Sequence, residues 1–191
     1  MTQPNAYLNQ IPAVGARFAD ADVTDIKTID ATITVRQFVA GLLSYQPGWV
    51  RFMFRVRKAA MELMHIAEDG EAKPPALTPE TLPVTPGEEA YIFTVVEAQE
   101  DRFWIGTMHD DHLDADFLVV AEPLVNGRNR MYAITLVRFN KPIGRLYFRF
   151  IEPFHHLIMR TLMNAAVKRA RQSRHTPAQA HGRNSSATTG E

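Results

Sequence analysis

Two short strings hold the residue types from which chemistry is most often made. His109-Asp110-Asp111-His112 puts two imidazoles and two carboxylates in four consecutive positions, and His155-His156 follows Pro153. The first has ligand types that suit a divalent cation, but it lacks the third and fourth partners that complete such a site. Polar residues of this kind also belong in a turn between strands, so no metal site is expected. The second pair sits in a helical pattern, where neighbouring residues point about 100° apart and cannot easily share one ion. His155 falls beside an apolar stripe and His156 on a basic face. Inside a cavity, His155 would bind a polar group or carry a proton near neutral pH. The plainer reading is a histidine packed at the helix edge with its hydrogen bond made.

Several common chemistries are absent. There is no cysteine, which removes disulfides, thiolate metal sites and cysteine nucleophiles together. No Gly-rich phosphate loop, Gly-x-Ser-x-Gly elbow or His-Glu-x-x-His string occurs, and no cofactor is expected. The first residues show neither a basic nor an apolar leader region, no apolar run is long enough to span a bilayer, and a cytoplasmic location is the expectation.

The elements that must position these residues come from the pattern of the 191-residue chain, of which 46% is hydrophobic and 22% charged. Such a chain suits one domain, here 18–172, with an irregular N-terminus over 1–17 and a polar, disordered tail over 173–191. The β-branched residues near 22–30 predict a strand. Thr34 with Gln37 three residues later predicts a capped helix over 35–45, and the spacing of Trp49, Phe52, Val56, Ala60 and Leu63 predicts a second over 49–66. Residues 67–87 carry Pro74, Pro75, Pro79, Pro83 and Pro86, a density that excludes a helix or central strand and leaves a surface loop or a lid.

Four strand-like runs follow, over 90–97, 103–108, 113–122 and 130–139, separated by short polar breaks as in an antiparallel meander. Asn126-Gly127 predicts a two-residue turn. That turn would pair Ala121 with Tyr132, Val119 with Ile134 and Phe117 with Leu136, and would set these six on the face that meets the last helix. In that helix the stripe Ile143, Tyr147, Phe150, Phe154, Ile158, Thr161 and Ala165 is the expected buried side, and Pro153 marks either a kink or the start of a second helix.

Specific strings add a resemblance. Asp111-His112-Leu113-Asp114, Thr135-Leu136-Val137-Arg138-Phe139-Asn140, Gly144-Arg145-Leu146-Tyr147-Phe148 and Ile151-Glu152-Pro153-Phe154-His155-His156, with Pro47-Gly48-Trp49 and Arg57 earlier, resemble a bacterial family catalogued only as a domain of unknown function within the START-like, polyketide-cyclase-like (SRPBCC) superfamily. The resemblance covers roughly residues 15 to 170. It implies an α+β helix-grip fold, a curved antiparallel sheet wrapped around a long C-terminal helix, with two short helices after the first strand. It brings no catalytic residues, though the wider superfamily mostly binds apolar small molecules and a minority of its members catalyse reactions.

The function expected from this is the binding of a small hydrophobic molecule between sheet and helix. Phe117, Val119, Ile134, Leu136, Phe150 and Phe154 would line the cavity, with His112 and His155 as polar anchors. A cyclase, dehydratase or isomerase would instead use one of those histidines with Asp114 for proton transfer. A partner protein with a filled core is the third reading. Net charge is zero, but residues 141–174 hold eight Lys or Arg and one acid. A solvated basic face is the expectation there, with contact to an anionic membrane the alternative. No nucleic-acid motif is present.

Overall fold

The computed structural model describes residues 6–45, 47–63 and 75–175. The chain begins with two short helices, α1 (Ala6–Asn9) and α2 (Pro12–Gly15), and a single 3-10 turn over Ala16–Phe18. Strand β1 (Val23–Ala31) leads into α3 (Val35–Ser44) and α4 (Gly48–Leu63). The meander is β2 (Glu89–Ala90), β3 (Phe93–Gln99), β4 (Phe103–His109), β5 (Leu113–Pro123) and β6 (Asn129–Phe139). Helix α5 (Pro142–His175) closes the chain, unbroken at Pro153, which lies on its solvent side.

The six strands form one antiparallel sheet in the order β1-β6-β5-β4-β3-β2. The first strand thus lies beside the last, and among the described residues one edge of β1 is unpaired. The run expected over 90–97 is split at Tyr91, whose φ of 66° turns the chain between β2 and β3. The capping box at α3 forms as its residues dictate. Thr34 Oγ1 accepts from the Gln37 N–H at 3.2 Å, and the Thr34 N–H donates to Gln37 Oε1 at 3.1 Å.

The β5–β6 turn departs from expectation by one residue. Asn126 and Gly127 do take positive φ, 64° and 67°. The loop, however, holds three residues, Val125 to Gly127, and closes with Leu124 N–H donating to Arg128 O at 2.8 Å. The register therefore pairs Ala121 with Met131, Val119 with Ala133 and Phe117 with Thr135. A one-residue slip sends a whole strand's side chains to the opposite face. Tyr132, Ile134 and Leu136 consequently lie on the far side of the sheet from α5, and Met131, Ala133 and Thr135 take the places expected for them. Alternation could not decide the matter, because both faces of β5 and β6 are apolar and both are covered.

The cover on the far face is the N-terminus. Leu8, Ile11 and Val14 are fully buried against Phe103, Ile105, Leu118, Val120, Tyr132, Ile134 and Leu136. Each such side chain removed from water contributes about 2 kcal/mol. The irregular N-terminus expected over 1–17 is thereby corrected for the residues from Ala6 on, which are helical and packed. Arg138 extends the attachment. Its Nη1 donates to Asp116 Oδ2 at 2.9 Å and its Nη2 to Arg17 O at 2.8 Å, while Arg17 Nη1 lies 3.5 Å from the same carboxylate. Asp116 is 1% exposed, and a carboxylate so buried needs cations of this kind.

On the inner face, α3 and α5 close the core. Met159, Met163, Ala166, Val167 and Ala170 pack with Phe38, Val39, Leu42, Phe117, Val119 and Met131. Gly41 explains the closeness of the two helices, since a Cβ there would stand 2.8 Å from Ala166 Cβ. The described part of the proline-rich loop, 75–87, is tied down. Trp104 Nε1 donates to Pro83 O at 3.0 Å, Ser44 Oγ bonds both the N–H and the carbonyl of Leu77, and Leu82 is buried. The remainder of that loop, 67–74, the expected end of the second helix at Ile66 and the tail beyond residue 175 lie outside the described residues.

Candidate functional site

Along β1 the side chains that face α5 are Val23, Asp25, Lys27, Ile29 and Ala31, because this face is shared with Val137, Thr135, Ala133 and Met131 of the neighbouring β6. Two of the five are charged, on a face where Val137, Ala133 and Met131 of the neighbouring strand are apolar. The middle of α5 answers them with His155 and His156. The Lys27 ammonium donates to the Asp25 carboxylate, and Lys27 Nζ lies 2.8 Å from His156 Nδ1. Asp25 Oδ2 is 3.4 Å from His155 Nε2 and 3.5 Å from His156 Nδ1. Glu152, one turn back on α5, stands 3.9 Å from His156 Nε2.

The Asp25 and Lys27 side chains are 15% and 12% exposed, so this is a largely dry ion pair. Burial alone would raise the Asp25 carboxyl. Hydrogen bonding and charge from His155 and Lys27 outweigh burial and hold it well below the usual carboxylate range. Asp25 is therefore a fixed anion near neutral pH and a poor proton acceptor. Its place is to hold the Lys27 ammonium and face the His155 ring. His155 Nε2 is shielded from solvent and faces Asp25 Oδ2 alone, at 3.4 Å. Across the sheet from Asp25, the same face carries Thr135, Phe117 and Gly106 in register, with Ala133 and Ala115 on either side. Thr135 and Ala133, the β6 residues paired with Asp25 and Lys27, thus set small side chains next to the charges.

A groove of about 770 Å³ opens along the same seam, lined by Ile29, Asp30, Asn164, Val167, Lys168 and Arg171. Ile29 is the next inward residue of β1 after Lys27. The groove has an apolar floor, and its charged lining residues are Asp30, Lys168 and Arg171.

The expected site residues separate in space. His155, Phe117 and Val119 face α5's side of the sheet as foreseen, while Ile134 and Leu136 are displaced by the register slip. Asp114 is also on the far face, where its Oδ1 lies 3.0 Å from His109 Nδ1. Phe150 is 48% exposed, its ring 6.0 Å from that of the half-buried Phe154 and tilted 51° to it. The buried face of α5 runs instead through Tyr147, Ile151, His155, Met159, Met163, Ala166 and Ala170. Two apolar stripes compete on this helix, and the sheet took the one with the smaller and more flexible residues in its second half.

His112 is buried but far from the seam. Its ring packs edge-on to Tyr147 at 5.3 Å, Nδ1 lies 3.0 Å from Asp110 Oδ1, and its carbonyl accepts from the N–H groups of Asn140 and Lys141 at 3.0 and 3.3 Å. Gly144 allows this approach, since a Cβ would come within 2.4 Å of that carbonyl. His112 seats the start of α5. Among the described residues no three His, Asp or Glu side chains are grouped to hold a metal ion. Asp25 and Lys27 were missed in the sequence reading, and a signal for them existed. Once β1 is a strand, Asp25 and Lys27 share a face with Val23, Ile29 and Ala31.

A six-stranded antiparallel sheet, its first strand beside its last and one long C-terminal helix laid across it, makes this an α+β helix-grip protein. The chain belongs to the family described as "Protein of unknown function (DUF2867)", which matches residues 13–162. No curated protein matches it. Among solved structures, a hypothetical protein from Helicobacter pylori is similar at 13% identity and a TM-score of 0.44, over 90% of this chain and 99% of that one. Norcoclaurine synthase from Thalictrum flavum, in complex with dopamine and hydroxybenzaldehyde, is similar at 11% identity and 0.41, over 93% and 97%. Ara h 8.0201 is similar at 8% identity and 0.38, over 76% and 98%. Among the described residues no helix is long and apolar enough to cross a membrane.

Proposed function

We propose that this protein binds a small, mainly apolar molecule carrying an acidic group, along the seam between β1 and α5. The observation that carries the reading is the Asp25–Lys27–His155–His156 group on the inward face of β1. A strand that served packing alone would place apolar residues there, since a buried ion pair adds little net stability. Lys27 and the two histidines offer donors to an anion, and Ile29 and Val167 offer apolar surface along the adjoining groove. Lys168 and Arg171 add positive charge at its rim. Asp25, held ionised, keeps Lys27 in place until a ligand acid competes for it.

Native mass spectrometry of the purified protein, followed by extraction and identification of any co-purified molecule, tests this directly. The expected result is a stoichiometric organic acid, with binding of that acid weakened at least tenfold in Lys27→Met, about the worth of one charge-assisted hydrogen bond. A protein that arrives empty, and whose melting temperature does not move across a panel of fatty and aromatic acids, would remove the binding reading.

A further inference from the structure

The outward face of α5 carries a feature that the seam does not use. Leu146, Phe150 and Leu157 are 61%, 48% and 55% exposed, and the exposed Pro153 lies between them. Their spacing of four, three and four residues places all four on one stripe, opposite the buried line through Tyr147, Ile151 and Met159. Arg149 and Arg160 are exposed and stand eleven residues apart, three helical turns, so they form a parallel column beside the stripe. Neither is among the ion pairs of the described residues. Arg145, by contrast, is engaged with Asp22 and the Phe139 ring. The only acid in α5 is Glu152, which is half-buried and turned toward His156.

We infer that this face docks on an anionic lipid surface. A bilayer interface offers hydrocarbon beneath a negative headgroup layer, and so meets both halves of the face at once. The stripe from Leu146 to Leu157 is about 16 Å long, so the helix would lie in the plane of the interface and insert only its side chains. A second copy of this chain is a poor occupant. Two such faces brought together would set the arginine columns against each other without an intervening acid.

Co-sedimentation of the full chain with vesicles of phosphatidylcholine alone, and of phosphatidylcholine with a minority of phosphatidylglycerol, reads the inference. Binding is expected on the anionic vesicles, at least about tenfold stronger than on the neutral ones, and falling as salt is added. The double variant Arg149→Glu with Arg160→Glu should lose about 25-fold or more, roughly fivefold for each basic residue. Phe150→Ser with Leu157→Ser should lose binding at every salt concentration. These four residues are exposed, and unchanged circular dichroism and melting temperature would confirm that the variants are folded. Absence of binding to anionic vesicles would overturn the inference. So would equal binding to both compositions, or a dimer in solution that the Ser variants convert to monomer.

Discussion

Asp25 fixes how the seam responds to acid. Its carboxyl is held far below the ordinary value by His155 and Lys27 against the opposing effect of burial. A depressed folded-state pKa means that the ionised form stabilises the fold at pH above about 3.9, the unfolded value. That contribution is lost as pH falls below it and the unfolded chain takes up a proton the folded chain resists. The expected outcome is a urea midpoint that starts to drop near about pH 5 and goes on falling below about pH 3, and an acid limb markedly flatter in Asp25→Asn. At neutral pH the same variant should be less stable by about 3 kcal/mol, because Lys27 keeps its charge with little water to replace its partner. Parallel acid limbs for the two proteins would show that Asp25 does not carry the dependence. At this scale the sequence was half legible. His155 announced itself by residue type, but its partners lie some 130 positions away on another element, and only strand pairing brings them near.

The elements themselves were legible where their signals are local. Thr34 and Gln37 are three residues apart, and the box they form depends on nothing else in the chain. The face of α5 and the β5–β6 register were not local questions. Each offered two apolar alternatives, and the choice was made by what covers the opposite side. Gly41 shows the same dependence. Within a helix, glycine costs about 1 kcal/mol against alanine, so an isolated α3 would gain from Gly41→Ala. In the folded chain the added methyl would meet Ala166 Cβ at 2.8 Å, with Ala166 Cα at 3.0 Å behind it. Backbone cannot swing aside as a long side chain can, so α3 and α5 must part. Gly41→Ala is therefore expected to destabilise by about 1–2 kcal/mol in spite of its propensity, and Gly41→Leu by more. Equilibrium denaturation compares the two directly, and a stabilised Gly41→Ala would show that the helices do not need their close approach.

For the molecule as a whole, the sheet is a layer with two apolar faces and requires two covers. One cover, α5, was expected, and α3 shares it. The other, residues 6 to 18, was read as irregular because its helices are only four residues long and its apolar positions, Leu8, Ile11 and Val14, are too few to show a period. Their burial is set by the sheet, whose outward residues Leu118, Val120, Tyr132, Ile134 and Leu136 would otherwise face water as one patch. The segment is held at its end by a polar clamp, with Arg138 bridging Asp116 to the Arg17 carbonyl. A chain that starts at Ala19 is thus expected to lose far more than a tail would. It should show a lowered melting temperature, bind a hydrophobic dye and tend to associate through the uncovered face. The double substitution Leu8→Ser with Val14→Ser separates packing from chain length, and should cost about 4 kcal/mol or more with every residue still present. If both variants melt with the parent, the N-terminal segment does not cover the sheet in solution. The register of β5 against β6 would then have to answer for an open apolar face, which a slip of one residue, to the pairing the turn first suggested, would not relieve.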